Sequence, residues 1–419
     1  MRRALSGLSL AGLSATLVGN GIGRFAFIAL MPAVIDAAWF SKAQASHLSV
    51  ATLLGYIVGA WCSDRLARRW SSSTLIRWCM LLTAISFYAS AFSGWPLGWY
   101  YNWRLVAGAC GAVLMVLPAP VVLPRHDVSV RARASAVVFS GVGLGAALSG
   151  LLVPALIGGV GLTLVYGRAR LPLVFSGVTG AWLGLGTVCL ILTIVSWRRW
   201  PSDAGTAASA PATSTTLASA QQGHAAAVRL IVAAHALNAV GYLAHTLFLV
   251  DYVVHEVGAT LAAGGFYWSM FGLGAAVGPL ITGPLADRFG TKRCLAVGFA
   301  AKSLAAVLPV WSSAPSMLLA SALLMGVCTP GLLALVSAYT LEIVGTKEYR
   351  PAWGQATLGF SVAQGLGGFA MAIAASHLDS YKPLMLASAL ALVGAIGCLL
   401  AIPTRRISVT PGDATAAPP

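Results

Sequence analysis

The chain is short of charge. Only 9% of its 419 residues are Asp, Glu, Lys or Arg, against about 25% in soluble domains. Acid is the scarcer sign, with 11 Asp and Glu facing 26 Lys and Arg. A chain so poor in charge and 58% hydrophobic cannot be folded around one water-soluble core. Catalytic signatures are also missing. There is no HExxH, no GxSxG, no paired carboxylate and no CxxC, which argues against a membrane-embedded enzyme. No Gly-x4-Gly-Lys-Ser/Thr loop is present, so this chain carries no ATP-binding site of that type. The seven cysteines, Cys62, Cys79, Cys110, Cys189, Cys294, Cys328 and Cys398, nearly all fall in apolar stretches without metal-ligand or disulfide spacing. They read as small apolar fillers, and neither a metal nor a cofactor is expected.

What is present is length. About twelve apolar stretches reach the roughly 20 residues that a bilayer crossing needs. They lie near 5–34, 45–63, 74–94, 100–123, 134–158, 172–197, 228–254, 262–286, 293–311, 315–340, 352–376 and 382–403. The expected fold class is an all-α integral membrane protein of twelve transmembrane helices. The net charge of +15 is distributed as a topology signal. With both termini in the cytoplasm, one set of loops holds 19 basic residues and the opposite set only Lys42, Arg168, Arg170 and Lys382. This is the positive-inside asymmetry, not a nucleic-acid footprint. Met1-Arg2-Arg3 before an apolar run resembles a signal peptide, but no small-residue cleavage site precedes Arg24 and its removal would leave an odd number of spans.

Residues 198–227, rich in Ala, Ser, Thr, Gly and Pro, cannot bury a core and read as a disordered cytoplasmic linker. The expected organisation is a six-helix bundle over 1–197, that linker, a second six-helix bundle over 228–403 and a disordered tail over 404–419. A charged phrase marks the duplication. Ala60-Trp61-Cys62-Ser63-Asp64-Arg65-Leu66-Ala67-Arg68-Arg69 returns as Gly283-Pro284-Leu285-Ala286-Asp287-Arg288-Phe289-Gly290-Thr291-Lys292-Arg293, with the aspartates 223 residues apart.

These phrases resemble the Gly-x-x-x-Asp-Arg-x-Gly-x-Lys/Arg-Arg signature of the major facilitator superfamily, closely in the second copy. The first copy departs, with Ala60 and Ala67 where the family has Gly. Gly21-Ile22-Gly23-Arg24-Phe25-Ala26 is similar to a bacterial subgroup, the YbfB/YjiJ-type permeases. Arg104-Leu105-Val106-Ala107-Gly108 partly matches an Arg-x-x-Gln-Gly element, and Gly150, Pro154, Gly158 and Gly159 are weakly similar to an antiporter motif. The resemblance implies two bundles rocking around a midplane site. It also implies a cytoplasmic latch of Asp64, Arg65, Arg68, Asp287, Arg288 and Lys292, in which an aspartate meets a helix N-terminus. Glycine pairs Gly55/Gly59, Gly141/Gly145, Gly274/Gly278 and Gly365/Gly368 are expected where helices two, five, eight and eleven meet between the bundles.

Ionisable residues within a span are costly and mark function by default. Arg24, with Asn20 one turn below it, and Arg104 are candidate substrate ligands. So is the stripe His235, Asn238, Tyr242 and His245, whose spacing puts all four on one helix face. Lys302, mid-span in the ninth helix, reads as a structural or snorkelling lysine. No Asp or Glu lies in the middle of any span, so the proton-coupling candidates are His235, His245 and Asp251. Two arginines without an opposing acid should attract an anion, and a guanidinium fork suits a carboxylate.

The expected function is a secondary transporter of the cytoplasmic membrane, working by alternating access on a small organic anion, with protons as a candidate co-substrate and the monomer as the working unit. A broad-specificity efflux pump for amphipathic or cationic drugs is the alternative within this class. A non-transporting sensor on the same frame is the alternative from another class.

Overall fold

The computed structural model describes residues 6–166, 169–201 and 222–402. Most of the linker expected over 198–227 and the tail expected over 404–419 lie outside the described residues. The chain forms helices α1 Gly7–Asp36, α2 Lys42–Arg69, α3 Ser72–Ala89, α4 Leu97–Arg125, α5 Val128–Gly158, α6 Gly177–Trp197, α7 Ala225–Glu256, α8 Leu261–Phe289, α9 Thr291–Trp311, α10 Pro315–Gly345, α11 Pro351–His377 and α12 Lys382–Leu400. Eleven of them are long and apolar enough to cross a membrane. The other is α3, of 18 residues, which opens on three hydroxyl residues and carries Arg77. That arginine has structural work at one end of the first bundle. Its Nε and Nη2 donate to the carbonyls of Trp197 and Trp200 at 2.9 and 2.8 Å, closing the C-terminus of α6.

Local chemistry sets the helix ends. Ser41 and Gln44 form a capping box at the start of α2, and Thr260 caps α8. One element departs from an all-helical reading. Between α5 and α6 the chain forms an antiparallel hairpin of β1 Val160–Tyr166 and β2 Ala169–Phe175, in the register Val160↔Phe175. Helix α6 consequently begins at Gly177 rather than near 172. The turn-rich Gly158-Gly159 and Gly167 on either side of β1 are the signals that mark such a hairpin.

Helices α1 and α7, which open the two bundles, are both broken in mid-course. In α1 a π-helical segment Leu17–Ile22 precedes a turn before the helix resumes at Ala26. In α7 the helix pauses at Gly241-Tyr242 and resumes at Leu243. Such breaks are tolerated in a membrane only where other groups satisfy the freed backbone.

The glycine pairs do a different job from the one expected. Gly55 and Gly59 lie against Leu105 and Ala109 of α4, Gly141 and Gly145 against α1, and Gly274 and Gly278 against Leu323 and Val327 of α10. These pairs pack helices within one bundle. Of the four, only Gly365 and Gly368 meet the other bundle, through Ile57 and Leu53 of α2. Helices α5 and α8 approach through other glycines. A Cβ on Gly143 would lie 2.3 Å from Ala276 N, and one on Gly150 would lie 2.3 Å from Gly265 O. A four-residue glycine ridge faces one neighbour only, and Gly141/Gly145 faces α1, which leaves Gly143 and Gly150 for α8.

Candidate functional site

The site is built on the two helix breaks. In α1 the Gly-rich run lets the backbone open, so that Gly23 N bonds Val18 O at 2.8 Å and Phe25 N bonds Asn20 O at 3.3 Å. Ile28 N then turns to Phe25 O at 3.3 Å, leaving the carbonyl of Arg24 free of its usual helical donor. Arg104 of α4 satisfies the opening. Its Nη1 donates to Gly23 O at 3.0 Å and its Nη2 to Arg24 O at 3.4 Å, and its guanidinium lies 4.7 Å from the Phe27 ring. Arg104 is buried, so it does not snorkel to the surface. Asn20 adds a second tie to α4 by donating to Gly111 O at 2.8 Å. A buried carbonyl left unsatisfied costs about 1–3 kcal/mol. We therefore expect Arg104→Gln to lower thermal stability by about 2 kcal/mol, read as a fall in the unfolding midpoint of the purified protein. An unchanged midpoint would mean that the break needs no external donor.

With the backbone held this way, the Arg24 side chain enters the space between the bundles. Its Nη2 donates to Tyr242 Oη at 3.0 Å, at the break in α7. Gln364 of α11 completes a triad. In the amide orientation that pairs donors with acceptors, its oxygen accepts from Arg24 Nη2 and Nη1 at 3.0 and 3.2 Å and its nitrogen donates to Tyr242 Oη at 2.6 Å. The rings of Phe25 and Tyr56 lie 5.0 and 5.8 Å from the guanidinium. Every one of these partners is neutral, and among the described residues no carboxylate pairs with Arg24. A small cavity adjoins it, lined by Arg24, Phe27, Ile28, Ser49, Leu53, Arg104, Thr246 and Leu247. It offers the guanidinium groups of Arg24 and Arg104, two hydroxyls and an apolar wall.

The remaining residues of the α7 stripe are buried but look elsewhere. His235 lies tilted against the Phe360 and Trp353 rings at 4.6 and 5.7 Å, and neither of its ring nitrogens has a hydrogen-bond partner among the described residues. Asn238 Oδ1 accepts from Lys302 Nζ at 2.8 Å. His245 Nε2 lies 2.8 Å from Ser321 Oγ. Lys302 does not snorkel. It has no exposed surface and reaches inward to α7, with Nζ 4.7 Å from the centroid of the Tyr242 ring. The structure thus brings Arg24, Arg104 and Tyr242 together and places Asn20 behind them. His235 and His245 are absent from the cavity lining. Gln364 escaped the sequence reading because a search for charges and histidines passes over an amide between Ala363 and the Gly365/Gly368 pair.

The end of the molecule away from Gly7 and Leu400, here the distal end, carries Asp251. Its Oδ1 lies 2.8 Å from His255 Nδ1, and its Oδ2 accepts from Tyr381 Oη. His255 Nε2 lies 2.8 Å from Asp36 Oδ1 of α1, so one imidazole clasps the two bundles. Both ring nitrogens face carboxylate oxygens, an arrangement that the doubly protonated ring satisfies with two donors. Lys42 of α2 reaches across too, donating to Leu378 O at 3.5 Å. His255 and Asp36 are 34% and 60% exposed, which limits the clasp to about 1 kcal/mol. We expect His255→Ala to raise severalfold the rate at which a cysteine at position 246 reacts with a membrane-impermeant thiol reagent. No change would assign distal closure to the helix contacts alone.

At the opposite end, the residues of the repeated phrase make no described contact between the bundles. Arg65 lies over Trp61 and Arg288 over Phe289, each on its own helix. Lys292 donates to Ile402 O at 2.7 Å. The side chains of Asp64 and Arg68 lie outside the described residues, and Asp287 has no hydrogen-bond or ion-pair partner among the described residues.

Residues 16–400 match a family model described as "Uncharacterised MFS-type transporter YbfB". No curated protein matches the sequence. A crystal structure of a mutant of the nucleoside transporter NupG is similar, with a TM-score of 0.71 at 12% identity, over 94% of this chain and 99% of that one. So is the crystal structure of a bacterial homologue of the human lysosomal transporter Spinster, in an inward-facing and occupied conformation. There the TM-score is 0.69 at 16% identity, over 93% of this chain and 95% of that one. At these identities the likeness is one of fold.

Proposed function

Because this chain belongs to the YbfB-type family of major facilitator transporters, we propose that the solute it moves is a small organic anion held at Arg24. The protein is a multi-pass membrane transporter. The finer reading is secondary transport across the cytoplasmic membrane, with both chain ends on the cytoplasmic side, where the basic loops gather. The two bundles rock about the Arg24–Tyr242–Gln364 triad, which joins α1 of one to α7 and α11 of the other.

One observation carries the anion. The guanidinium of Arg24 sits half-buried between the bundles with neutral partners only. A buried cation without a counter-ion is costly, and a substrate carboxylate would supply the missing charge in a fork-to-fork geometry. Phe27, Ile28, Leu53 and Leu247 of the cavity would receive an apolar body. Because the triad spans both bundles, an anion bound there touches each of them.

The test is thermal stability of the purified protein against organic anions, organic cations and neutral solutes including nucleosides, with Arg24→Ala alongside. A ligand that binds the folded state raises apparent stability by mass action. Carboxylates should stabilise the wild type and not the variant. Stabilisation by lipophilic cations that is indifferent to Arg24 would replace this reading with that of a drug efflux pump.

A further inference from the structure

We propose that Lys302 is the site of the proton that travels with the anion, an assignment that rests on the anion reading of Arg24. No carboxylate lies in mid-span, so the proton needs another carrier. The histidines of α7 are poor ones. Ser321 Oγ gives its proton to Ala305 O at 2.7 Å, so His245 Nε2 must donate to Ser321. Among the described residues, the opposite nitrogen, Nδ1, has no partner that would accept a second N–H, and His235 has no hydrogen-bond partner at either nitrogen. Asp251 is fixed at the distal end by Tyr381 and His255.

Lys302 is placed differently. It comes from α9 with no exposed surface, and Asn238 Oδ1 is its one hydrogen-bond acceptor among the described residues. An ammonium has three N–H groups to satisfy, whereas an amine has two and offers a lone pair. The single acceptor favours the amine while the face of the Tyr242 ring, 4.7 Å from Nζ, favours the ammonium, and no carboxylate fixes the proton there. The titratable groups facing Lys302 are His235 and His245 from α7, Cys328 from α10 and Tyr242, and none supplies a negative charge. Burial with a neutral partner leaves both protonation states accessible, unlike a lysine locked into an ion pair.

The link to substrate runs through Tyr242. Its hydroxyl receives Arg24 Nη2 at 3.0 Å while its ring faces Lys302 Nζ at 4.7 Å. One aromatic side chain thus separates two like charges. An anion at Arg24 removes their repulsion and favours a proton on Lys302. By reciprocity, a proton on Lys302 favours the anion. In each cycle the Nζ lone pair takes one H⁺ as the anion binds and returns it when the anion leaves. One proton then moves with each monoanion in the same direction, with no net charge carried.

The chain has five lysines, Lys42, Lys292, Lys302, Lys347 and Lys382, few enough to follow individually. In lipid nanodiscs, with ¹³C-labelled lysine, one Cε signal should pass from its ammonium to its amine position within the pH range in which the protein stays folded, because burial disfavours the charged form. That signal should vanish in Lys302→Arg, or in Lys302→Met should the arginine variant fold poorly. In Arg24→Gln its midpoint should rise by about one pH unit or more, because a nearby like charge is gone. Benzoate, as the probe anion, should move the wild-type midpoint the same way. A Lys302 signal fixed at its ammonium position across the range overturns the proposal, as does a midpoint indifferent to Arg24. A signal that titrates and responds to Arg24 while no carboxylate stabilises the protein would overturn the anion reading alone.

Discussion

Arg24→Ala should weaken binding of a stabilising carboxylate by about 100-fold or more, equivalent to about 2.7 kcal/mol. The size follows from the surroundings. Truncating one member of a buried, hydrogen-bonded charge pair costs about 2–5 kcal/mol, and no second cation occupies the position of Arg24 in the triad. Arg104 lines the same cavity, but its guanidinium is engaged with the carbonyls of Gly23 and Arg24. The fold should survive the change, since Tyr242 and Gln364 still bond each other. Arg24→Lys should fall between the two, keeping the charge and losing the planar fork. Titration of the unfolding midpoint against the carboxylate, with flux in proteoliposomes, reads both variants. Equal affinity in wild type and Arg24→Ala would remove Arg24 from the site.

Gly272→Val should trap the transporter with its distal end open. A Cβ on Gly272 would sit 2.2 Å from Ala147 N and 2.6 Å from Gly143 O. Both are backbone atoms of α5, so no side-chain rotation relieves the clash. Overpacking of this kind costs about 1–3 kcal/mol or more, and the relief open to the protein is separation of α8 from α5. The expected shift is about tenfold or more in the population of the distal-open state. It is read as faster labelling of a Thr246→Cys reporter from the distal side, in a variant lacking the native cysteines. Flux should fall with it. Gly274→Val is the control, because Gly274 meets Leu323 O and Val327 N of α10, inside its own bundle. That change should lower stability without opening the distal end. If both variants label alike, the α5–α8 contact is no gate.

Much of the architecture was legible because the bilayer imposes a simple rule. Every spanning backbone must satisfy itself, so apolar stretches of sufficient length become helices. The duplicated Asp64 and Asp287 phrases mark the repeat independently of hydropathy. The hairpin at 160–175 was not seen because a two-stranded element carries little signal beside a long helix. The neighbours of the glycine pairs are not legible in the sequence for a geometric reason. Spacing shows that a ridge exists, but not which of several adjacent helices lies against it.

The candidate site divides along the same line. Arg24, Arg104 and Tyr242 stand out in the sequence by charge or by periodicity on a span. Gln364 and Lys302 acquire meaning only from where they end up. An amide becomes part of an anion site by lying within 3.0 Å of a guanidinium 340 residues away in the chain. A lysine on the ninth helix becomes a candidate proton carrier by facing the ring that receives Arg24. Length, hydropathy and charge are properties of segments, and they suffice to mark a membrane transporter of about twelve helices with more cations than anions in its spans. Which cation faces the space between the bundles, which one mends a broken helix and which one meets α7 emerges from the packing of the helices. Those roles depend on what lies across each helix face, and a linear pattern does not specify its partners.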